Sequence, residues 1–365
     1  FIKNTFQNDL WIHQSLWSIR ALRDGSVSRI LPFMNCSILR LPSLLAVGTA
    51  LLALSSARGQ NITNGQWAMT QTPEAIEFRS GGELITAYHI GKNDPKPYFY
   101  PVIGPTGENV TRHFPMKTGV PGEPDDHVHH RSIWFGLGKV NDTDFWHEKE
   151  GSGRTVHTGM KGLQLSGNSM TFHTTTDWLK ADGTKVCEDK RSHKWTRGAD
   201  GSLIYDFAIQ LIASQGDLLI GDDKEGAFAL RVLPTMAMKG DVAKGGMSNS
   251  AGQEGTDVWG KRADWVQFFG PDSKGNPLSI TMMDHPSNLR HPSWWHARDY
   301  GLFAVNPFGQ SKFEKEAPKD AGDYAIKSGE SVTLTYRVMI DAGKPETAAL
   351  GDSYKAFAAE EPGKP

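Results

Sequence analysis

Short runs in which apolar and polar side chains alternate, broken by turn residues, recur from one end of the chain to the other. This period of two predicts strands. "AIEFR" (75–79) and "ELITAYHI" (83–90) are separated by "SGG", and "LQLS" (163–166) and "SMTFHTTTDWL" (169–179) by "GN", so each pair predicts a hairpin. In "LIYDFAIQLIA" (203–213), Leu203, Tyr205, Phe207, Ile209 and Leu211 fall on one side of an extended chain, the signature of a half-buried strand. "DWVQFFG" and "PLSITMMD" flank the loop "PDSKGN", and "YAIKSGESVTLTYRVMI" (324–340) predicts a further hairpin. Only residues 345–360 carry a helical pattern. Frequent strands without alternating helices predict an all-β fold, a large antiparallel β-sandwich with a short C-terminal helix.

The first 59 residues do not share this pattern. Residues 1–33 show no sustained periodicity and are expected to be upstream translation. Met34 opens a short basic segment with Arg40, the apolar run "LLAVGTALLAL" (44–54) and small-residue sites ending at Ala57 and Gly59, the order of a secretory signal. The expected organisation is a signal over 34–59 and a single β-sandwich domain over 60–365, exported to the periplasm or the medium, with no membrane span in the mature chain.

Composition narrows the partners. Cys36 lies in the signal, which leaves Cys187 without a disulfide partner, so packing alone must hold the fold. A net charge of −2 removes the electrostatic footprint of a nucleic-acid binder. Nine of the eleven tryptophans follow the signal; core packing accounts for most, and a few are available as flat faces for a sugar ring.

Candidate chemistry concentrates in two stretches. "DDHVHHRSIWFGLG" (125–138) holds His127, His129 and His130 within four positions of a chain that has 13 histidines. If the segment is extended, His127, His129 and Arg131 project to one face, where the first two could share a substrate, or a divalent metal with a carboxylate from Asp126 or Glu123. Buried imidazoles need partners, so a purely structural explanation would have to supply many. "DHPSNLRHPSWWHAR" (284–298) is expected to leave the end of a strand at Asp284 as a loop bearing His285, Arg290, His291, Trp294, Trp295, His296 and Arg298, with Asn306 closing the stretch. Arg112 stands ahead of the first stretch, and "NDTDFWHEKEG" (141–151), with Trp146, His147 and Glu148, between the two. The long polar segment 239–255 is of the kind that borders sites. "GTDVWGKR" lacks the Ser/Thr and the strand–helix frame of a phosphate loop, and no serine-hydrolase, zincin, thiol-redox or dinucleotide motif is present.

"GPTGENVTRHFP" (104–115), "DDHVHHRSIWFGLGKVNDTDFW" (125–146) and "DHPSNLRHPSWWHARDYGLFAVNPFG" (284–309) resemble the PmoA-like family, secreted bacterial proteins of unknown function sometimes labelled methane oxygenase. The resemblance covers nearly all of the chain after the signal. It does not imply methane oxidation, because nothing after residue 57 is apolar for long enough to span a bilayer. The order of an early "GPTGE", a histidine-rich centre and a closing "SGESVTLTYRVMI" is also similar to the galactose-mutarotase-type β-supersandwich. That likeness implies a histidine that polarises the sugar ring oxygen, a role matched by His127, His129 or His130, and a late carboxylate base, for which Asp284 is the nearest match.

The expectation is a carbohydrate-active protein, with an epimerase, lyase or hydrolase type of acid–base chemistry, whose cleft joins 126–131, 284–298 and Arg112. His127, His129, His130, Asp284 and His296 are the candidate catalytic groups. Arg112, Arg131, Trp146, His285, Arg290, His291, Trp295 and Asn306 are the candidate substrate contacts. No cofactor is required by this reading. The alternatives are a glycan-binding protein without catalysis and a metalloprotein using His127, His129 and Asp126.

Overall fold

The computed structural model describes residues 60–365 with the exception of residue 65; the expected upstream segment and export signal lie outside the described residues. In chain order the strands begin with β1 (Gln60–Asn64), β2 (Trp67–Gln71), β3 (Ala75–Ser80), β4 (Glu83–His89), β5 (Tyr98–Val102) and β6 (Ile133–Leu137). There follow β7 (Arg154–Ser166), β8 (Ser169–Leu179), β9 (Lys185–Arg197), β10 (Leu203–Ile212), β11 (Leu218–Ile220), β12 (Gly226–Arg231) and β13 (Gly246–Asn249). The last are β14 (Trp265–Pro271), β15 (Pro277–Asp284), β16 (Trp294–Ala297), β17 (Leu302–Asn306), β18 (Tyr324–Ile326) and β19 (Ser331–Ala342). A single helical turn, α1 (Gln310–Phe313), precedes β18, and α2 (Thr347–Ala358) follows β19.

Two antiparallel sheets stack face to face. One has nine strands in the order β1-β2-β3-β4-β5-β6-β12-β17-β16, the other eight in the order β13-β14-β15-β19-β10-β9-β8-β7. Their inner faces meet in aromatic pairs that cross between sheets: Phe78 with Phe172 at 4.9 Å, Phe228 with Phe207 at 4.7 Å and Phe303 with Phe268 at 4.9 Å. The sandwich is the expected all-β fold, and the alternation of β10 places Leu203, Tyr205, Phe207, Ile209 and Leu211 in its core. Helix α2 lies where the helical pattern predicts it, packing Leu350 and Phe357 against Trp265 and Met283 of the eight-stranded sheet. No helix among the described residues is long and apolar enough to cross a membrane.

Two local expectations are corrected. "YAIKSGESVTLTYRVMI" is not a hairpin: β18 pairs with β11 in a separate two-stranded sheet, whereas β19 enters the eight-stranded sheet between β15 and β10. The turn sequence stops one strand and starts another, but the longer apolar face of β19 finds its partners in the core. The stretch after Asp284 is likewise not one loop. It crosses from β15 in one sheet to β16 at the edge of the other, so its two ends serve different sheets.

Antiparallel register carries one row of side chains across the outer face of the nine-stranded sheet: Tyr98, Trp134, Ala229, Ala304 and His296 are successive cross-strand partners and therefore share a face. Trp146 and Leu302 complete a second apolar layer there, with Tyr100, Met116 and Tyr300 packed against it. This outer layer is the platform of the candidate site.

Candidate functional site

The segment 125–131 is a turn, not the extended strand expected from the sequence. His127 has φ 46° and Ser132 φ 56°, both left-handed, and the His130 amide donates to the His127 carbonyl at 3.0 Å. An extended run here would have only Val128 to bury, and Val128 is exposed. The bend is held from below by Arg112, whose guanidinium donates to the carbonyls of Asp126 (2.9 Å) and His127 (2.8 Å) and to the Asp126 carboxylate (2.5 Å). The alternate-face assignment of the histidines fails in consequence, and all three rings meet: His127 stacks on His130 at 4.7 Å, and His129 stands edge-on to His130 at 4.5 Å and to His127 at 5.7 Å.

Each imidazole has a distinct environment. His127 Nδ1 lies 3.0 Å from Asp126 Oδ2, and no protein group meets its Nε2 among the described residues. Burial raises the Asp126 pKa, but the His127 hydrogen bond and the charges of Arg231 and Arg112 outweigh it and draw the carboxyl down to about 2. His130 is buried beneath, with Nδ1 3.0 Å from Arg231 Nη1; burial and the Arg231 charge push its pKa well below the ordinary value. A guanidinium only donates, so His130 Nδ1 accepts and its proton sits on Nε2. His129 makes no hydrogen bond through its ring among the described residues, and burial, followed by the charges of Lys96 and His147, lowers its pKa to about 3. The His147 ring lies 4.6 Å from His129 with Nδ1 2.9 Å from Asp144 Oδ2, a second carboxylate-held imidazole. Asp144 is held below the usual carboxylate range despite its burial, by the His147 ring and the amides of His147 and Trp146.

The remaining candidates near this cluster hold it in place. Arg131 is bidentate to Glu148, which also lies 3.2 Å from the buried Lys96 ammonium; Lys96 in turn donates to the Trp146 carbonyl at 2.6 Å. Trp146 is fully buried under the histidines. Arg131 and Trp146 therefore stand behind the exposed rings, not in front of them.

The second stretch divides. Asp284 is buried in the eight-stranded sheet, where its carboxylate accepts from Asn288 Nδ2 (2.7 Å), the Ser293 amide (2.8 Å) and His291 Nδ1 (3.0 Å). His291 Nε2 meets the Tyr354 hydroxyl of α2, and His285 bridges Ser287 and the Glu360 carbonyl. Arg290 donates to four carbonyls, those of Pro307, Gly322, Ala321 and Asp323. Trp295 is core, with its indole N–H on the Ala263 carbonyl, and Asn306 ties the Asp223 and Lys224 carbonyls to the Phe308 amide. Asp284, His285 and His291 are thus joined to α2 and the eight-stranded sheet, not to the outer platform.

The other end of the stretch does reach the platform. His296 closes the outer-face row, buried, with Nδ1 3.0 Å from the Lys224 carbonyl and 3.8 Å from Glu225; burial foremost lowers its pKa to about 4. Tyr300 stacks on His127 at 5.1 Å and lies under the Arg231 guanidinium at 4.6 Å. Arg298 lies 5.6 Å from the Tyr300 ring and 5.8 Å from Trp259, which stands edge-on to His296 at 6.5 Å. Trp259, Arg298, Asp299, Met247, Thr256 and Ala297 line a cavity of about 210 Å³ beside this chain of contacts. The 239–255 segment thus borders it, through Met247. Sequence reasoning missed Arg231, Tyr300, Trp259 and Asp144 as site residues, and named His147 only as a lesser feature beside Trp146 and Glu148. The spacing of Asp144 and His147 in a turn was the one local signal; Arg231 joins only through the pairing of β12 with β6.

Among the described residues no group of three or more His, Cys, Asp or Glu side chains is arranged to hold a metal ion, so the trio His127, His129 and Asp126 is not a preformed ligand set. Asp126 already serves Arg112 and His127.

Similar solved structures are sugar-processing or sugar-related proteins by their descriptions, at low identity. A galactose mutarotase-like protein from Clostridium acetobutylicum shares 8% identity at TM-score 0.33, over 78% of this chain and 99% of its own. A GalM/aldose epimerase homologue from C. elegans shares 11% at TM-score 0.26, over 78% and 99%. A 4-alpha-glucanotransferase from Thermococcus litoralis shares 11% at TM-score 0.26, over 78% of this chain and 40% of its own. No curated protein matches the chain. Residues 75–355, most of the sandwich and all of the outer platform, match the family of unknown function DUF6807, and the chain belongs to that family.

Proposed function

We propose that the protein binds a sugar or sugar derivative at the rim formed by His127, His129, His147 and Tyr300 and acts on it by acid–base chemistry. The observation that carries this reading is the Asp126–His127 pair. A carboxylate anchored by two arginines fixes the imidazole through Nδ1, while Nε2 faces outward with no protein partner. This is the orientation a proton-transferring histidine needs. His130 beneath it is held neutral, with its proton on Nε2, and backs the His127 ring without adding charge. His129, low in pKa and free of protein hydrogen bonds, adds a neutral imidazole able to donate or accept. The partly exposed indole of Trp259, flanked by Arg298, Asp299 and Thr256, pairs an apolar face with polar groups, a combination suited to a sugar ring; the cavity is below the roughly 300 Å³ typical of drug-sized sites and suits a small ligand.

Export through the segment 34–59 and the likeness to the PmoA-like family belong to the same reading. Incubation of the purified protein with reducing sugars, glycosides and uronates, followed by NMR of the products, tests it. Turnover that disappears in His127→Ala, with the thermal midpoint near that of the parent, supports it. Binding without turnover makes the protein a glycan-binding module, and absence of both overturns the reading.

A further inference from the structure

Arg298 has no hydrogen-bonding or ion-pairing partner for its guanidinium among the described residues, yet it is not a loose surface side chain. Its backbone amide is fixed to the Leu302 carbonyl at 2.8 Å, and its guanidinium carbon lies 5.6 Å from the Tyr300 ring and 5.8 Å from the Trp259 ring. The guanidinium thus lies against two aromatic rings, and Arg298 lines the cavity that Trp259, Thr256 and Asp299 also line. Asp299 is the acidic side chain of that cavity and is not paired with Arg298. Two other arginines near Tyr300 do have a carboxylate partner: Arg112 and Arg231 share Asp126. Arg298, by contrast, has no carboxylate on its guanidinium among the described residues, so its donors are the ones open to a ligand.

We infer that this cavity is an anion subsite: Arg298 takes an oxyanion substituent of the ligand, a carboxylate, sulfate or phosphate on the sugar, by paired N–H donation. This rests on the carbohydrate reading above and deepens it to an acidic sugar. His127 and Arg298 approach the same Tyr300 ring, at 5.1 Å and 5.6 Å, which makes Tyr300 the link between the histidine rim and the cavity. Planar, two-point donation suits an oxyanion better than a hydroxyl and is about twice as strong as a neutral hydrogen bond.

Calorimetric titration of the full chain with glucose, glucuronate, glucose 6-sulfate, glucose 6-phosphate and inorganic phosphate, at low and high salt, tests the inference. A charged sugar is expected to bind about tenfold or more tightly than glucose, with the advantage shrinking in high salt. Arg298→Gln should remove that advantage, Arg298→Lys should keep part of it, and Asp299→Asn should enlarge it. The charged sugar that binds best identifies the oxyanion. Equal binding of charged and neutral sugars by the parent protein, or an advantage that survives in Arg298→Gln, overturns the anion subsite while leaving the carbohydrate reading standing. Inorganic phosphate binding as tightly as the sugar phosphate also overturns it, and failure of every sugar to bind overturns both. The salt series on the parent protein keeps the test decisive even if a variant folds poorly.

Discussion

Arg231 Nη1 lies 3.0 Å from His130 Nδ1, and because a guanidinium has only donors, this one contact fixes where the His130 proton is. The two residues are 101 positions apart in sequence and meet because the pairing of β12 with β6 brings Arg231 beside the start of β6.

The first prediction concerns that proton. Nitrogen-15 NMR of the ring should show His130 as the Nε2–H tautomer, with Nδ1 unprotonated, at pH values well below the ordinary histidine value of about 6.5. Arg231→Met removes both the donor and the nearby charge, so the His130 pKa should rise toward the ordinary range. A His130 that carries its proton on Nδ1 in the parent protein would sink the role assigned to it.

Asp126 and His127 should separate in stability although they touch. The Asp126 carboxylate answers two guanidiniums that are almost fully buried, so Asp126→Ala leaves Arg112 and Arg231 without their shared counter-ion. Breaking a buried pair costs about 3–5 kcal/mol, and the partial exposure of Asp126 reduces this to about 2 kcal/mol. His127 projects outward, and His127→Ala should lie within about 1 kcal/mol of the parent. Urea unfolding of the two variants checks the contrast. Equal losses would mean that His127 is part of the packing.

Stability should fall with acid in a defined window. His129, His157 and His296 are held neutral with pKa values of about 3, 4 and 4, all below the unfolded value of about 6.5. Between those limits the unfolded chain binds protons that the folded chain does not, so folding is favoured fully above pH 6.5 and loses ground as pH falls toward 4. Each such histidine contributes a slope approaching 1.4 kcal/mol per pH unit. His130 and His193, held well below the ordinary value chiefly by burial, act in the same direction. Thermal midpoints measured from pH 7.5 to 4.5 should decline, and the decline should be shallower in His157→Phe if that variant packs. A flat profile would show that these rings are not buried as neutral bases.

The strands were legible because burial on one face writes a period of two into residues such as Leu203, Tyr205 and Phe207, and no distant information is needed to read it. The site was legible only as composition. The cluster of His127, His129 and His130 was visible, but its conformation was not, because the bend at His127 is imposed by Arg112, which is remote in sequence and grips backbone carbonyls. "DHPSNLRHPSWWHAR" looked like one wall because its residues are neighbours in sequence, whereas sheet membership splits Asp284 from His296. Arg231 and Tyr300 carried no local mark; cross-strand register and loop packing alone bring them to His130 and His127.

The last prediction turns on that split. Asp284 Oδ1 accepts from Asn288 Nδ2 at 2.7 Å and Oδ2 from the Ser293 amide at 2.8 Å and His291 Nδ1 at 3.0 Å, all without solvent access to the carboxylate. Asn288 also holds the carbonyl and amide of Thr335 in β19, so the carboxylate is the knot that ties the end of β15 to its neighbour and to the crossing into β16. Asp284→Ala leaves the Ser293 N–H and one amide hydrogen of Asn288 buried and unpaired, at about 1–3 kcal/mol each, in addition to a small cavity. The expected loss is about 3 kcal/mol, equivalent to a fall of roughly 5 °C in the thermal midpoint of a domain this large. Sugar binding by the fraction that remains folded should match the parent, the reverse of the pattern expected for His127→Ala. Calorimetry well below the lowered midpoint separates the two effects. An Asp284→Ala protein that melts with the parent yet has lost the sugar would move this carboxylate from the frame of the protein into its site.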